Sequence, residues 1–521
     1  MMLREILKDC EFIGDLRSED VKKEIVKVTY DSRTVQNDSL FVAVKGEKYD
    51  GHDFIQDAIQ KGASAVVCEY KYKGCSLSKQ DETSYISFIK VKNSRKTLAC
   101  ISNNFFDRPS EKLIVTGITG TNGKTTTTYI LKSILDICGK ETGLIGTIQY
   151  MIKDAVFPAL HTTPESLEFQ KLLQDMLVAG CTHVISEVSS HALAQYRVDR
   201  TSFKTAVFTN LTRDHLDFHK TMEDYFLAKK RLFFELLSRD GTAILNIDDS
   251  YGRRLNCELR SFSKEINSKI KILTCGIENS ADIMATDIRN SFHGLKFKIL
   301  FSERKYDVLS SLIGLPNVYN ILCAIGAAIS LGVPFEYIIK GIEKTKTVRG
   351  RFENIDVGQD FLCIVDYAHT EDALQRLILT ARESISSTHD PNVSSGLTHV
   401  PRIITVFGCG GDRDRGKRPK MGEIATHLSD IVIITSDNPR SEDPLKIIRQ
   451  IESGAVNKNY LIVPDRKDAI KKSIDMACAG DIVLIAGKGH EDYQEIKGVR
   501  YKFSDRQVAK SAIEKKLKQK E

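Results

Sequence analysis

The chain has 521 residues, of which 41% are hydrophobic and 28% are charged, a balance typical of globular proteins in water. At usual domain sizes this length predicts about three or four domains. The formal net charge of +6 is small for the length, so it does not require a nucleic acid partner. Mildly basic clefts for anionic substrates would account for it.

Cysteine usage and the N-terminus predict where the protein works. Twelve cysteines without a CxxC pair predict reduced, mainly buried thiols. The N-terminus, MMLREILKDCEF, carries charges too early for a secretory signal peptide. No apolar run approaches the length needed to span a bilayer. We therefore expect a cytoplasmic protein with no membrane partner.

The first predicted domain, residues 1–94, is a small α/β domain. The apolar runs DSLFVAVKG (38–46) and ASAVVCEY (63–70) favour strands, and HDFIQDAIQKG between them favours a helix. A basic, polar stretch, KVKNSRKT (90–97), then leads into another helix. Short strands mixed with helices in this way favour an α/β layer arrangement.

The second predicted domain, residues 95–347, alternates strands and helices from Lys112 onward. KLIVTGITG favours a strand and GKTTTTYILKSILDICG a helix, and THVISEVSS, TAVFTN and TAILNID favour further strands. Helical stretches separate several of these runs. This alternation predicts a parallel sheet with helices on both faces.

The third predicted domain, residues 348–521, repeats the alternation in a Rossmann-like pattern. Four apolar runs, FLCIVDYAH, PRIITVFGCGG, DIVIITSDNPR and DIVLIAGKGHE, end in loops rich in Gly, Asp, His or Arg. Ligands of such sheets lie beyond the carboxyl ends of the strands, so these loops are candidate binding loops. The polar, Ser-rich stretch 384–401 is interpreted as a long surface loop before a strand.

The strongest chemical signal is GITGTNGKTTTT, Gly117 to Thr128, between a predicted strand and a predicted helix. Glycines in such a loop let backbone N–H groups approach phosphate oxygens at a helix N-terminus. Lys124 would reach the β- and γ-phosphates, and the Thr125 hydroxyl would ligate Mg²⁺. The spacing departs from the usual motif, because five residues separate Gly117 from Gly123. We expect a phosphate-binding loop, and the alternative is a glycine turn that binds nothing.

Two polar clusters follow later apolar runs. Glu187 of SEVSSHAL is a candidate Mg²⁺ ligand, because hard cations prefer carboxylate oxygens. TNLTRDHLDFH (209–219) gathers two aspartates and two histidines, including His215. A magnesium or phosphate role suits a neighbouring phosphate-binding loop better than a zinc site does. The alternative for this cluster is a solvated polar loop.

SDNPRSEDP, Ser436 to Pro444, follows the apolar run 431–434 and presents Arg440 beside a stiff proline. Asx and Pro residues form tight turns, and a guanidinium can grip a carboxylate through two parallel hydrogen bonds. We therefore expect a carboxylate ligand at this turn. The alternative is a turn arginine paired with Glu442 or Asp443.

Taken in order, the motifs resemble those of the Mur ligase family, ATP-dependent amide-bond-forming enzymes of bacterial cell-wall synthesis, over nearly the whole chain. The resemblance is to the branch that adds the third stem-peptide residue to UDP-N-acetylmuramoyl-L-Ala-D-Glu. It implies an N-terminal domain for the UDP end, a central domain for ATP and a C-terminal domain for the amino acid. The motifs are GTNGKTT, EVSSHAL, TNLTRDHLDFH, YFLAKKRLF, GRFE, DYAHTEDAL, VFGCGGDRDRGKRP, DNPRSEDP and AGKGHEDYQ.

The resemblance implies site residues in four groups. ATP contacts are implied at Gly120, Thr121, Asn122, Gly123, Lys124, Thr125, Thr126, Asn317, Arg351 and Asp366. Contacts to the UDP-linked substrate are implied at Tyr30, Ser32, Glu47, Lys48, Tyr49, Thr162, Thr163, Ser189, Gln195 and Arg197. DNPR marks family members that use meso-diaminopimelate, and its contacts are implied at Arg413, Asp437, Asn438, Pro439, Arg440, Gly487 and Glu491. Catalytic roles are implied for Lys124, Glu187, His215 and Lys229.

Lys229 falls where the family carries a carbamylated lysine. Addition of CO₂ would turn this cation into an anion able to ligate a second Mg²⁺. The implied metal ligands are thus Thr125, Glu187, His215 and Lys229 as a carbamate. The implied reaction passes through an acyl phosphate, which an amine of diaminopimelate then attacks, and domain closure excludes water.

One position departs from the family pattern, because Glu371 stands where a proline usually follows DYAHT. A glutamate near a helix N-terminus is also favourable, so we expect no loss of activity. We further expect a monomer.

Three alternatives remain open: a lysine-adding relative, a folylpolyglutamate synthetase, and a P-loop ATPase or switch that forms no bond. DNPR argues against the first and the TYDSR region against the second. The DRDRG and AGKGHE loops have no purpose under the third.

Overall fold

The structure, a computed structural model, describes residues 1–46, 49–70, 86–291, 294–388 and 400–519. These residues form sheets of four, eleven and six strands and one two-stranded hairpin. The three large sheets follow one another along the chain, which confirms the predicted α/β class with three sheet-containing regions. None of the described helices is long and apolar enough to cross a membrane.

The N-terminal sheet is parallel, in the order β1-β2-β3-β4. Its alternating side chains feed two apolar clusters, one on each face, with Leu40 in one cluster and Phe41 in the other. The helix that begins at Ser94 packs Leu98 and Ile101 into the first of these clusters. The elements are β1 (Lys27–Thr29), β2 (Ser39–Val42), β3 (Ala63–Cys68), β4 (Ser87–Lys90), α1 (Leu3–Ile6), α2 (Ser18–Val21), α3 (Ile55–Gln60) and α4 (Ser94–Phe105).

The central sheet has eleven strands, in the order β15-β14-β13-β12-β11-β10-β5-β9-β6-β7-β8. Its strands are β5 (Ile114–Thr119), β6 (Thr142–Ile145), β7 (Gln149–Ile152), β8 (Ala155–Pro158), β9 (His183–Glu187), β10 (Phe203–Phe208), β11 (Leu237–Asn246), β12 (Lys271–Gly276), β13 (Ile283–Ser291), β14 (Gly294–Phe301) and β15 (Arg304–Ser310). Its helices are α5 (Lys124–Ile137), α6 (Ser166–Val178), α7 (Ser190–Ala194), α8 (Leu216–His219), α9 (Met222–Arg231), α10 (Ser250–Glu265), α11 (Leu315–Ser330) and α12 (Phe335–Lys344).

The predicted parallel sheet is confirmed from β13 to β6, and both edges differ from it. At the edges β6-β7-β8 and β13-β14-β15 pair antiparallel. The turn residues Lys153, Ser302 and Glu303 have positive φ, which marks tight hairpin connections. Such short connections join only antiparallel neighbours, whereas parallel neighbours need a crossover.

The C-terminal sheet, in the order β16-β17-β21-β18-β19-β20, is parallel except for its first pair. This is the expected Rossmann-like arrangement, with a separate antiparallel hairpin near the end of the chain. The strands are β16 (Glu353–Asn354), β17 (Leu362–Asp366), β18 (Ile403–Phe407), β19 (Ile431–Ile434), β20 (Tyr460–Ile462), β21 (Ile482–Ala486), β22 (Tyr493–Ile496) and β23 (Val499–Lys502). The helices are α13 (Glu371–Thr388), α14 (Lys417–Leu428), α15 (Pro444–Glu452), α16 (Arg466–Met476) and α17 (Asp505–Lys518).

The loop predicted at 384–401 is wrong for its first five residues, because α13 continues through Thr388. Ser384 is fully buried and Ile385 packs into the C-terminal core, so burial extends the helix beyond its polar sequence. Residues 389–399 of the predicted loop lie outside the described residues. Glu371, which replaces the expected proline, is the first residue of α13.

A buried ion pair ties α17 to the rest of the C-terminal region. Arg466 donates to both carboxylate oxygens of Asp505 at 2.7 Å, and neither side chain is exposed. Arg466 also donates to the carbonyl oxygen of Ala486, the last residue of β21. The pair therefore holds α16, α17 and the end of β21 together.

We predict that Asp505→Ala destabilises the protein by about 3–5 kcal/mol, because it leaves a guanidinium buried without its counter-charge. The measurement is the midpoint of urea unfolding of the C-terminal region, followed by circular dichroism. Lys510→Ala is the matched control, since Lys510 lies on the same helix in an exposed pair with Glu514 and should change stability by less than about 0.5 kcal/mol. Equal midpoints for the two variants would contradict the prediction.

Candidate active site

The glycine-rich loop between β5 and α5 is braced by the segment that follows β10. Asn122 donates its N–H to Asn210 Oδ1 at 3.0 Å, and Thr121 donates its N–H to the carbonyl oxygen of Asn210 at 2.9 Å. Thr209 Oγ1 donates to the carbonyl oxygen of Asn122 at 2.6 Å. A side chain at Gly120, where φ is 149°, would overlap Thr209. The loop is thus held open at the N-terminus of α5, as an anion site requires.

Two lysines converge on this loop from different helices. Lys124, the first residue of α5, donates to the carbonyl oxygens of Gly120 at 3.0 Å and Thr121 at 2.9 Å. Lys229 of α9 is buried and donates to the same Gly120 oxygen at 2.8 Å. Burial lowers the pKa of Lys229 well below its usual value, and the nearby Lys124 lowers it further. The shift is towards the neutral amine, the form that can add CO₂.

Glu187 ends β9, next to β5, and its side chain is fully buried. Its carboxylate accepts hydrogen bonds from Thr125 Oγ1 at 2.9 Å and from Thr147, through the backbone N–H at 2.8 Å and Oγ1 at 2.9 Å. Two of the predicted Mg²⁺ ligands, Thr125 and Glu187, are thus in direct contact.

His215 lies at the start of α8 with a φ of 53°. Its ring is 4.8 Å from that of His191, and its Nε2 is 3.4 Å from an Asp214 carboxylate oxygen. Burial lowers the pKa of His215 to about 4. Among the described contacts, His215 forms no hydrogen bond with Lys229. In the described ranges, no group of three or more His, Cys, Asp or Glu residues could hold a metal ion.

Arg351 reaches the phosphate-binding loop from the C-terminal region. Its Nη2 lies 3.4 Å from Thr125 Oγ1, and its guanidinium lies 5.0 Å from the centre of the Tyr367 ring. A second bridge joins the same two regions, because Thr212 Oγ1 donates to Asp372 at 3.1 Å. The third region therefore closes onto the loop.

Asp366 and Asn317, both predicted ATP contacts, are fixed by local hydrogen bonds. The Asp366 carboxylate accepts the backbone N–H groups of Phe352 at 2.6 Å and Ala368 at 2.8 Å. Burial raises the pKa of Asp366, which these two bonds oppose. Asn317 Nδ2 donates to the carbonyl oxygen of Ile313 at 2.7 Å.

The predicted contacts to the peptide part of a UDP-linked substrate surround the loop after β9. Thr163 Oγ1 donates to the carbonyl oxygen of Glu187 at 2.7 Å and accepts the N–H of Ser189 at 3.1 Å. Arg197 donates to the carbonyl oxygen of Thr163 at 3.0 Å and to Gln195 at 2.7 Å. Thr162 contacts the Thr147 hydroxyl at 3.1 Å.

The predicted uridine contacts lie in the N-terminal region. The Tyr30 hydroxyl donates to Glu168 of α6 at 3.1 Å, and burial raises the pKa of Tyr30. Ser32 is buried, whereas Tyr49 is 74% exposed. Glu47 and Lys48 lie outside the described residues.

Arg440 adopts a left-handed backbone conformation, with a φ of 50°, beside the hairpin β22–β23. Its N–H donates to the carbonyl oxygen of Glu495 at 3.0 Å, and its Nη1 donates to the carbonyl oxygen of Gly411 at 2.7 Å. The Glu495 carboxylate is 3.9 Å from its Nε. The alternative partner Glu442 is bound instead by Arg418, and Asp443 caps α15.

The remaining predicted amino-acid contacts gather around Asn438. Asn438 Nδ2 donates to Glu491 Oε2 at 2.8 Å, which joins the loop after β19 to the loop after β21. Gly487 has a φ of 118°, and a Cβ there would lie 2.6 Å from Asp437 Oδ2. Arg413 is exposed. The structure thus places Asp437, Asn438, Gly487 and Glu491 in one cluster, with Arg440 at its edge.

Comparisons with known proteins agree with this three-part arrangement. Residues 24–106 match the "Mur ligase family, catalytic domain", residues 118–328 the "Mur ligase middle domain", and residues 350–489 the "Mur ligase, glutamate ligase domain". A UDP-N-acetylmuramoyl-L-alanyl-D-glutamate--2,6-diaminopimelate ligase of Solibacter usitatus is 45% identical over 516 residues, covering 98% of each chain. The chain belongs to the Mur ligase family.

Solved structures of other Mur ligases share the fold. A structure titled as a UDP-N-acetylmuramoyl-L-alanyl-D-glutamate--2,6-diaminopimelate ligase aligns with a TM-score of 0.69 at 31% identity, covering 99% of both chains. MurF ligase from Thermotoga maritima, in complex with ADP, aligns with a TM-score of 0.61 at 20% identity, covering 95% of this chain and 98% of that one.

Several side chains in this Mur ligase contact predicted site residues without having been named as site residues from the sequence, among them Thr147, Asn320 and Lys488. Thr147 binds Glu187, Asn320 Nδ2 donates to Asn317 Oδ1 at 3.0 Å, and Lys488 Nζ donates to Asn438 Oδ1 at 2.8 Å. Lys488 lies inside the motif AGKGHEDYQ, one residue after Gly487, and Asn320 lies one turn after Asn317. Thr147 follows β6 and belongs to no motif, so only the fold reveals it.

We predict that Lys229→Arg lowers kcat at least about 100-fold, because a guanidinium stays charged and cannot add CO₂ as an amine can. The measurement is ligase turnover, followed as ADP release. Lys230→Arg, which changes the next residue in an ion pair with Glu258, should retain activity within about twofold. Near-normal turnover by Lys229→Arg would show that the amine itself is not needed.

Proposed function

We propose that the protein is an ATP-dependent ligase that adds meso-2,6-diaminopimelate to UDP-N-acetylmuramoyl-L-Ala-D-Glu in bacterial peptidoglycan precursor synthesis. The observation that carries this proposal is the cluster of Arg440, Asn438 and Glu491, which presents a guanidinium and a carboxylate from adjoining loops. Such a pair suits the carboxylate and ammonium at the far end of diaminopimelate. The printed name of the 45% identical relative supports the same substrate.

The three regions would take the predicted roles: residues 1–94 for the UDP end, 95–347 for ATP and 348–521 for the amino acid. Lys124 and the loop N–H groups at the start of α5 would hold the triphosphate. Arg351 would approach it from the third region, since it already lies 3.4 Å from Thr125. Two cations and a helix N-terminus would then offset the phosphate charge.

Magnesium fits the side chains at the loop. Thr125 and Glu187 offer a hydroxyl and a carboxylate oxygen 2.9 Å apart, both buried, and hard cations prefer such oxygen ligands. We assign these two residues to one ion, and His215 with Lys229 as a carbamate to a second. Bound Mg²⁺ would neutralise charge on the phosphate oxygens.

The chemistry proceeds in two steps. An oxygen of the D-Glu γ-carboxylate attacks the γ-phosphorus of ATP, the bond to the bridging oxygen breaks, and ADP leaves an acyl phosphate. The neutral amine of diaminopimelate then attacks the acyl carbon, phosphate departs, and the amine proton passes to solvent. The Arg351 and Thr212 bridges between regions would exclude the water that hydrolyses acyl phosphates.

The substrate's peptide would lie along Thr162, Thr163 and Arg197, which surround the Glu187 loop. Its γ-carboxylate would then face the phosphate-binding loop directly. We further propose a cytoplasmic monomer, with no nucleic acid and no membrane as partner.

The deciding experiment measures ADP release with ATP, Mg²⁺ and UDP-N-acetylmuramoyl-L-Ala-D-Glu, with meso-diaminopimelate or L-lysine added in parallel. We expect turnover and the tripeptide product mass only with diaminopimelate, and no turnover after Mg²⁺ is chelated. Equal turnover with lysine would indicate a lysine-adding ligase. ADP release that ignores the amine would indicate an ATPase.

Arg440→Met tests the assignment of the guanidinium. We predict that the KM for diaminopimelate rises about 10- to 100-fold, as expected for the loss of a charge-assisted bidentate bond. The KM for ATP should stay within about twofold. Arg449→Met, on the neighbouring helix α15, is the control and should leave both constants unchanged. An unchanged KM for diaminopimelate in Arg440→Met would place the carboxylate elsewhere.

A further inference from the structure

Lys488 is a buried lysine at the centre of the amino-acid cluster, and the proposed function gives it no part. Its side chain is fully buried. Its Nζ donates to Asn438 Oδ1 at 2.8 Å, lies 3.3 Å from Glu491 Oε2 and lies 3.7 Å from Asp437 Oδ1. A fully buried lysine is rare unless it is paired, and the described polar partners of Lys488 are all predicted ligand contacts.

Lys488 helps to set the orientation of the Asn438 side-chain amide. Asn438 Oδ1 accepts from Lys488 Nζ and from the backbone N–H of Glu495 at 2.9 Å, and neither donor can accept a bond in return. The amide nitrogen must then face Glu491, to which it donates at 2.8 Å. The cation and the Glu495 N–H together fix the amide, and the amide fixes the carboxylate.

The same contacts leave one oxygen of Glu491 for a ligand. Both described side-chain contacts of Glu491, from Asn438 and from Lys488, end on Oε2. Oε1 is thereby held in a set direction at the edge of the cluster. A carboxylate with one oxygen anchored and one available is suited to accept an ammonium.

Lys488 also affects the ionisation of the Glu491 carboxylate. Burial raises the pKa of Glu491, Lys488 lowers it, and the nearby Asp437 carboxylate raises it. The other ionisable groups that act on Glu491 are Tyr367, Tyr493 and Arg466. Only Lys488 among these cations contacts the carboxylate directly.

We propose that Lys488 is a positioning residue for diaminopimelate, which fixes the Asn438 amide and keeps Glu491 as a carboxylate whose free oxygen receives the distal ammonium. The inference rests on the proposed function and extends it. Arg440 would select the distal carboxylate, and Lys488, through Glu491, would select the distal amine. Selectivity for a substrate with both groups thus depends on a lysine that does not touch the substrate.

The first test is Lys488→Met, which keeps the length of the side chain and removes its charge. We expect the KM for diaminopimelate to rise about 10- to 100-fold, with the KM for ATP and for the UDP-linked substrate within about twofold. Lys488→Gln, which can still donate to Asn438, should show the smaller rise of the two. Lys471→Met, in an exposed pair on α16, is the control and should match the wild type.

A substrate analogue isolates the ammonium. L-2-Aminopimelate keeps the distal carboxylate and lacks the distal amine. The wild type should favour diaminopimelate over this analogue in kcat/KM, and Lys488→Met should reduce that preference at least about 10-fold. If Lys488 were merely structural, its loss would lower kcat/KM for both substrates equally. An unchanged preference therefore overturns the inference.

The pH profile supplies a third readout. Removing Lys488 raises the pKa of Glu491, so the acid limb of kcat/KM for diaminopimelate should move to higher pH by about one unit or more. Adding Lys488→Met to the Glu491→Gln variant should not move the acid limb any further. An unmoved limb in Lys488→Met itself would contradict the proposal.

Folding failure and failure of the proposed function are separable from failure of this inference. If the wild type does not use diaminopimelate, both the proposed function and this inference are wrong. If the wild type does, and Lys488→Met or Lys488→Gln retains the full preference, only this inference falls. If Lys488→Met does not fold, the Lys488→Gln preference and pH limb decide the outcome.

Discussion

The carbonyl oxygen of Gly120 accepts hydrogen bonds from both Lys124 and Lys229, and the rest of the central site is arranged about this shared acceptor. The two amines share one acceptor oxygen, so their positive charges oppose each other. An incoming triphosphate would draw Lys124 away from the loop, because a phosphate oxygen is a far stronger partner than a carbonyl. Burial shifts the pKa of Lys229 towards the neutral amine. One lysine is therefore suited to bind charge and the other to become modified.

The order of the central strands explains why motifs far apart in sequence meet at this point. In the sheet β5 lies between β9 and β10, so the glycine loop, Glu187 and Thr209 follow three adjacent carboxyl ends. A parallel sheet brings such ends to one edge, where ligands of doubly wound folds bind. In the C-terminal sheet the adjacent parallel strands β21, β18 and β19 likewise bring their carboxyl ends to one edge. There the middle loop is rich in glycine because the outer loops cross it, and a side chain at Gly411 would overlap the Pro439 carbonyl.

Much of this was predictable from the sequence, because local patterns determine buried strands and phosphate loops. The apolar runs that precede Gly120, Glu187 and Asp437 are strands whose ends carry the expected residues. The antiparallel edges were not predicted, although Leu295, Phe297 and Ile299 of β14 alternate with Lys296 and Lys298 as in a half-buried strand. Thr147 contacts Glu187 only because β6 lies beside β9, and no motif records that neighbour. The helix through Thr388 was missed because its final residues are polar and tertiary burial outweighs their weak preference.

The surroundings of Arg440 support its proposed role in discriminating between two amino acids that differ by one carboxylate. The guanidinium has one close acceptor, the Gly411 carbonyl at 2.7 Å, and its nearest described carboxylate is 3.9 Å away on Glu495. The hairpin holds the backbone of Arg440 on both sides, through the Glu495 carbonyl and the Lys497 N–H. The arginine is therefore fixed in place yet incompletely neutralised. In the proposed site, a ligand with a carboxylate would complete its charge pairing, whereas lysine would leave the guanidinium without that partner, and a site discriminates most strongly when the wrong ligand leaves a polar group unpaired.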